Sequence, residues 1–589
     1  MKVLFFAPHS EIWVHAFPEA LVAEALQQSG HEVIYVTCGE VLQDQCVAMS
    51  ASGIDYRSSL AERKRVCKRC GAHKEILRRR IGLKGYDMSE MLPSEDLDRI
   101  EKILSGLNPD NYLQLEFDSV PVGRYALYEL LLRHKKNDLN LSREEWREYQ
   151  AAIRGVLKVV LAGRRILERE RPDRVVTYNS LYAVNRVFCR LAEERGIPTY
   201  FLHAGGNLFR RLQTLMLGRD TTLRYLKNLV AEWPRFRARP CPPELVDEIT
   251  AHFLVLFSGE SVFGYSTAAG RVSLDVRSHY GLRPNQRLLV ATMSSPDERF
   301  AAQTVDALPS DKDLLFPSQV EWIRALIRFV AARPDLFLLI RVHPREFPNK
   351  RESVKSPHAA LLEKAFENLP QNSRVNWPAD GIALYDLANH TDVFLNSWSS
   401  AGKEMALLGI PVVAYSSDLI FYPADLNYVG KTEEEFFWKI EQALADGWSI
   451  ERSREVYRWL AVEYGYGLID ISDSYRQIEH ASRTLTSRFM RKIRKSFDRY
   501  HVQRKDCSGR LGHLSERVII EQILRLDAST PLDPRVERLS PQTGLEAEDK
   551  ALRAALARIG VALFGEAIDE NRGPLAQRLA TVSAQQTVA

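Results

Sequence analysis

Cysteine is scarce in this sequence, with seven in 589 residues, which excludes the disulfide framework of a small secreted scaffold. No run of about 18 apolar residues occurs, so no segment reads as a membrane-spanning helix. The first residues enter a strand directly, without the basic and apolar regions of a secretory leader. Charge of one sign is lacking as well: 80 Lys and Arg against 76 Asp and Glu leave a net +4, too little to argue for a nucleic-acid partner. The expectation is a cytoplasmic protein, at most peripheral to the inner face of a membrane.

What is present is a globular composition, 45% hydrophobic and 26% charged, on a chain long enough for two large domains and a cleft between them. Two basic runs stand out, Arg63 to Lys84 with ten Lys/Arg against one acid and Arg483 to Arg510 with ten against two. Each reads as a solvated helix face or as a patch drawn to anionic lipid or a polyanionic substrate. Four cysteines, Cys38, Cys46, Cys67 and Cys70, share one short span. The segment CKRC has zinc-knuckle spacing, but seven residues separate the other pair, wider than usual. A structural zinc and four unligated thiols both remain open.

Hydrophobic periodicity divides the chain. Residues 1–210 read as a Rossmann-like domain with strands over 2–7, 32–37, 174–178 and 199–203, interrupted by an irregular, helical, cysteine-containing insertion at about 39–167. Residues 211–284 read as a linker. Residues 285–450 read as a second Rossmann-like domain, with strands over 287–293, 336–342, 374–377, 392–396 and 411–415. A basic helical extension (451–526) and a loosely ordered tail (527–589) follow. The fold class is therefore α/β, two Rossmann-like domains with a helical insertion and a helical C-terminal extension.

Such sheets gather ligands at the carboxyl ends of their strands, and the polar signals fall there. LLIRVHPRE presents His343 and Arg345 just past a strand, where both can donate to a phosphate. DVFLNSWSSAGKEMALLGIPVV delivers Ser397, Ser399 and Ser400 to a helix containing Gly402, Lys403 and Glu404. Hydroxyls and free N–H groups there suit an anion, Gly402 would let a ligand come close, and Glu404 is placed to accept from ribose hydroxyls. Ser294 and Ser295 in TMSSPDE, and Asp380 and Tyr385 in WPADGIALYDL, are weaker candidates for the same ligand. In the first domain, Asn179, His203, Gly205 and Gly206 follow or end predicted strands, where such sheets bind ligands. The acidic triplets DLD (96–98) and DKD (311–313) lie in unpatterned segments and read as chance.

On RVHPRE and SWSSAGKEMALLGIPVV the chain resembles glycosyltransferases of the GT-B architecture, and is most similar to bacterial capsule and O-antigen transferases. It shares a general likeness with UDP-N-acetylglucosamine 2-epimerases of that fold. The resemblance implies a sugar nucleotide on the C-terminal domain and an acceptor on the N-terminal one. It carries donor-phosphate contact to His343, Pro344, Ser399 and Ser400, and matches Glu404 to a family glutamate. The glutamate that many retaining members have eight residues earlier falls here on Asn396. Inverting members often carry H-x-x-P at the first helix and then GHEV, matched by His15 to Pro18 and Gly30 to Val33. That pattern makes His15 a candidate base, with His9 and Glu11 on the preceding loop as rivals.

The function implied is transfer of a sugar from a nucleotide donor to a growing surface polysaccharide or lipid-linked glycan, with no cofactor required for catalysis. The basic segment SRFMRKIRKSFDRYHVQRK would hold the protein near anionic membrane. A 2-epimerase-like isomerase and a non-catalytic scaffold in polysaccharide assembly are the alternatives. CMP-linked acidic sugars suit the His-Pro and serine motifs.

Overall fold

The computed structural model describes residues 1–259, 265, 275–311, 314–349, 353–473, 514–539, 543–565 and 573–584. The basic segment at 483–510 and Asp313 of DKD lie outside the described residues.

The chain forms two six-stranded sheets. The first contains β1 (Lys2–Phe6), β2 (Glu32–Val36), β3 (Arg174–Tyr178), β4 (Thr199–Ala204), β5 (Thr214–Arg219) and β12 (Ile469–Asp470). Its order is β12-β5-β4-β3-β1-β2, with β1 to β4 parallel and β5 antiparallel to β4. The second contains β6 (Arg287–Thr292), β7 (Leu336–Arg341), β8 (Ser373–Asn376), β9 (Val393–Asn396), β10 (Val412–Ala414) and β11 (Tyr428–Val429). It is wholly parallel, in the order β11-β10-β9-β6-β7-β8, the doubly wound arrangement of a dinucleotide-binding fold.

Parallel strands are apolar on both faces because helices cover both. In β1, Val3 and Phe5 pack with α1 (Trp13–Gln28), whereas Leu4 and Phe6 pack under the long helix Arg143–Glu170. In the second sheet Leu289, Leu338 and Leu395 meet the helix Gln319–Ala331. Leu288, Leu339 and Phe394 share a core with the helices Pro243–Phe257 and Ile450–Ala461.

The segment between β2 and β3 is helical and includes α2 (Val47–Ala51), α3 (Leu60–Ile81) and the helix Tyr128–His134. It grips the second domain. Arg124 and Tyr125 hold Asp306 at 2.8 and 3.1 Å, and Lys135 donates to the carbonyls of Arg345, Phe347 and Val354.

Two sequence boundaries need correction. Of the expected linker at 211–284, residues 214–257 are part of the fold, because β5 is hydrogen-bonded into the first sheet and the helices Thr222–Phe236 and Pro243–Phe257 contribute to the shared core. The tail is not loose throughout either. The helix Leu545–Phe564 buries Leu552, Leu556 and Ile559 in that same core. Within the expected helical extension, the helix Arg517–Arg525 buries Ile520, Ile523 and Leu524 in the core shared with α1. Small and charged residues around these apolar positions hid the periodicity.

Candidate active site

The second sheet changes direction between β6 and β9: the chain steps outward through β7 and β8, then crosses back to β9. Loops leaving the two strands at such a point diverge and open a crevice. A cavity of about 270 Å³ lies there, walled by the segments after β6, β7 and β9, and closed from the other side by Gly206 of the first domain and by His252 and Tyr464. Glycine at 206 is what lets the first domain approach, since a Cβ there would lie 2.9 Å from the Tyr464 ring.

His343 lines this cavity. Its Nδ1 accepts from the backbone N–H of Arg345 at 3.2 Å, which assigns the proton to Nε2. Burial lowers its pKa to about 4, so at neutral pH it is an uncharged N–H donor. Arg341, the last residue of β7, also lines the cavity and donates to the carbonyl of Ile382 at 3.0 Å. Burial pushes it down only to about 10, so it remains a cation. It was missed in the sequence, where it looks like the solvent-facing end of an apolar run; the signal was a base at the carboxyl end of a parallel strand.

Ser399, Ser400 and Glu404 line the opposite wall. Ser399 Oγ accepts from the Ala401 N–H at 3.2 Å, leaving its own proton for a ligand. Ser400 donates to Glu404 Oε1 at 2.9 Å and Tyr385 donates to Oε2 at 2.8 Å. Burial raises the Glu404 pKa, and these two donors oppose the rise. Both carboxylate oxygens retain lone pairs for further donors.

Other expected donor contacts are engaged elsewhere. Arg345 is buried against Asp297, with nitrogens 2.7 and 3.0 Å from Oδ2, and reaches the Leu132 carbonyl of the insertion at 3.1 Å. It is a strut between domains, because an unpaired Asp297 in that interior would be costly. Lys403 is turned away to Glu463, at 2.7 Å from Oε2, over the Tyr464 ring. Gly402 answers to packing: a Cβ there would collide with Tyr422 Oη and Asn396 Nδ2. Ser294 and Ser397 bond each other at 2.7 Å beneath the cavity, Ser295 donates to Asp297 at 2.6 Å, and Asp380 accepts from the Trp377 N–H at 2.8 Å.

On the first domain, α1 and the loop before it follow β1. Glu11 is held by Arg69 at 2.7 Å and faces His73 at 3.6 Å. His9 is buried against the edge of Tyr182 and borders a small internal cavity with Glu129 and Glu148. His15 stacks on Tyr178 with ring centres 4.2 Å apart, and His203 lies 6.0 Å beyond that ring. Burial, with help from His203, His9 and Arg211, lowers His15 to about 3; burial and Arg211 lower His203 to about 4. Arg211 donates to the Gly205 carbonyl at 3.0 Å, next to Gly206 in the cavity wall. Gly205 itself is required by packing on Thr214, and Asn179, at φ 58°, turns the chain after β3 and accepts from the Leu181 N–H. None of His9, Glu11 and His15 lines the 270 Å³ cavity.

The four N-terminal cysteines converge on a second cavity, of about 210 Å³. Among the described residues, no three His, Cys, Asp or Glu side chains gather closely enough to hold one metal ion.

Two doubly wound sheets meeting across a ligand-sized crevice decide the architecture. The chain is GT-B in fold. No family model and no curated protein matches it. Solved structures do: UDP-GlcNAc 2-epimerase from Neisseria meningitidis bound to UDP-GlcNAc, at 12% identity and TM-score 0.25, covers 81% of this chain and 99% of its own. Spinosyn rhamnosyltransferase SpnG complexed with thymidine diphosphate, at 14% and 0.23, covers 82% of this chain and 100% of its own. The β Kdo 2,4 transferase KpsC of Thermosulfurimonas dismutans, at 17% and 0.29, covers 46% and 79%. These superpositions assign no substrate to this chain.

Proposed function

We propose that the chain is a glycosyltransferase that moves a sugar from a nucleotide donor to a hydroxyl of a growing surface polysaccharide or lipid-linked glycan. The observation that carries the reading is the switch-point cavity, which Arg341 and His343 line on one wall and Ser399 and Glu404 on the other. These groups suit a nucleoside diphosphate: cation and donors for the phosphates, carboxylate for ribose.

In the reaction the acceptor oxygen bonds to the anomeric carbon as the bond from that carbon to the donor phosphate breaks. The electron pair leaves with the phosphate, where Arg341 and His343 meet the growing charge; these donors make a catalytic metal unnecessary. The acceptor proton goes to His15. Glu11 and His9 are turned into the first domain, whereas His15 lies in the ring stack that ends beside Gly205 and Gly206. Its low pKa belongs to the ligand-free cleft, and an anionic donor nearby raises it toward a useful value.

Titration of the full chain with UDP-, GDP-, CMP- and dTDP-sugars, followed by mass spectrometry of the products, tests this. Binding of one class, with nucleotide released only when acceptor glycan is present, is expected. Failure to bind any of them sinks the proposal, and an epimerised sugar still attached to its nucleotide assigns isomerase chemistry instead.

A further inference from the structure

The helical insertion reaches the His343 turn through a residue with an unusual backbone. Lys135, which ends the helix Tyr128–His134, has φ 52°, a left-handed conformation that ordinarily falls to glycine or asparagine at a helix end. Its side chain is buried and crosses to the second domain, where the ammonium donates to the carbonyls of Arg345, Phe347 and Val354, the last two at 3.3 and 2.6 Å. Three carbonyls match the three protons of an ammonium. A strained position of this kind persists only where its surroundings over-determine it, and here those surroundings are the segment that follows His343.

That segment connects the lysine to the cavity. Pro344–Glu346 form a single tight turn with His343 at its start, and the Arg345 N–H donates to His343 Nδ1 at 3.2 Å. Arg345 thus gives its carbonyl to Lys135 and its N–H to His343, so the lysine steadies the backbone that sets the tautomer of the histidine. The Arg345 guanidinium adds a second tie, to the Leu132 carbonyl of the same helix, but the link to His343 runs through the backbone. At its other end the helix is anchored on the first domain: Glu129 accepts from the Ala183 N–H at 2.9 Å, at the start of the helix Ala183–Glu193. One short helix therefore spans from the first domain to the His343 turn.

We infer that Lys135 is a positioning residue for the donor site: it holds the turn after β7 so that His343 presents its Nε2–H to the cavity. The role rests on the donor-phosphate contact proposed above for His343. Imidazole with its proton on Nε2 donates to a phosphate oxygen, whereas the other tautomer turns a lone pair toward it and repels it. The insertion, and not the second sheet alone, then sets how well a nucleoside diphosphate is held.

Two readouts test this on the full chain. NMR of isotope-labelled histidine, with His343 assigned by the loss of its signals in His343→Gln, reports the tautomer without any ligand. Calorimetric titration with UDP, GDP, dTDP and CMP reports affinity. Lys135→Met keeps the apolar stem and removes the ammonium; it should mix the His343 tautomers and weaken the nucleotide that the wild type binds roughly tenfold. Lys135→Arg restores a cation with donors for the carbonyls and should recover part of each loss. Lys136→Met removes a neighbouring buried ammonium whose partners, Asp138 and Glu145, belong to the insertion, and should change neither readout. A wild-type tautomer in Lys135→Met, or an equal disturbance in Lys136→Met, overturns the inference. Should the methionine variant not fold, Lys135→Gln is read in its place against the same outcomes. A wild type that binds none of the nucleotides removes the donor reading instead, and the tautomer comparison still decides whether Lys135 positions His343.

Discussion

His343 and Arg345 stand two residues apart in RVHPRE, and both look like phosphate donors in the sequence, but the structure sends them to opposite sides of the turn. His343 keeps its Nε2–H in the cavity, while Arg345 is spent on a buried Asp297. Their substitutions should therefore separate. His343→Ala removes one hydrogen bond to a charged ligand, about 1.5–3 kcal/mol, and should weaken donor binding roughly 10- to 100-fold with little change in unfolding. Arg345→Met leaves a buried carboxylate without its partner and should cost about 3–5 kcal/mol in urea unfolding while sparing donor affinity in the folded fraction. The reverse pattern in titration and unfolding would exchange the two roles. His15→Ala should lower turnover and leave donor affinity unchanged; full turnover in that variant would remove His15 as the base.

At the scale of elements, the helix Ala401–Leu407 is packed from below as well as exposed to the cavity. Gly402→Ala would press a methyl group into Tyr422 and Asn396, an overpacking that should cost about 1–3 kcal/mol. Tyr422→Phe in the same chain removes the colliding hydroxyl and should recover part of that loss, read as paired thermal midpoints; no recovery would mean that the glycine serves a ligand rather than the core. The parallel strands that are apolar on two faces were legible, as LLIR in β7 and VFLN in β9 show. The missed strands were the short or antiparallel ones: β5 ends in Gly218 and Arg219, and β11 and β12 are only two residues long. Within the site, His343, Ser399, Ser400 and Glu404 could be read from position after a strand, which topology alone fixes. The diversion of Arg345 to Asp297 and of Lys403 to Glu463 could not, because both partners come from segments distant in sequence.

At the scale of the whole molecule, five histidines are held uncharged, His252 and His343 in the cavity wall and His9, His15 and His203 in the first domain. Burial lowers His9, His203 and His343 to about 4, and His15 and His252 to about 3, from an ordinary 6.5. Between those values the unfolded chain binds protons that the native one does not, so stability falls as pH drops below about 6.5, by about 1.4 kcal/mol per unit for each such group. Three buried carboxyls act the other way. Glu129, raised to about 7, and Glu19 and Glu404, raised above 4.5, are protonated more readily when folded and add stability as pH falls through their own windows. The five histidines outnumber them, so the net expectation is acid lability, with the urea midpoint declining from about pH 7 to about pH 5. A bound nucleoside diphosphate should blunt that decline, because its negative charge beside His343 favours the imidazolium and raises the native pKa. Unfolding curves with and without UDP across that range measure both effects. A midpoint that holds steady or rises on acidification would show that the buried carboxyls, and not the histidines, set the pH response of the cleft.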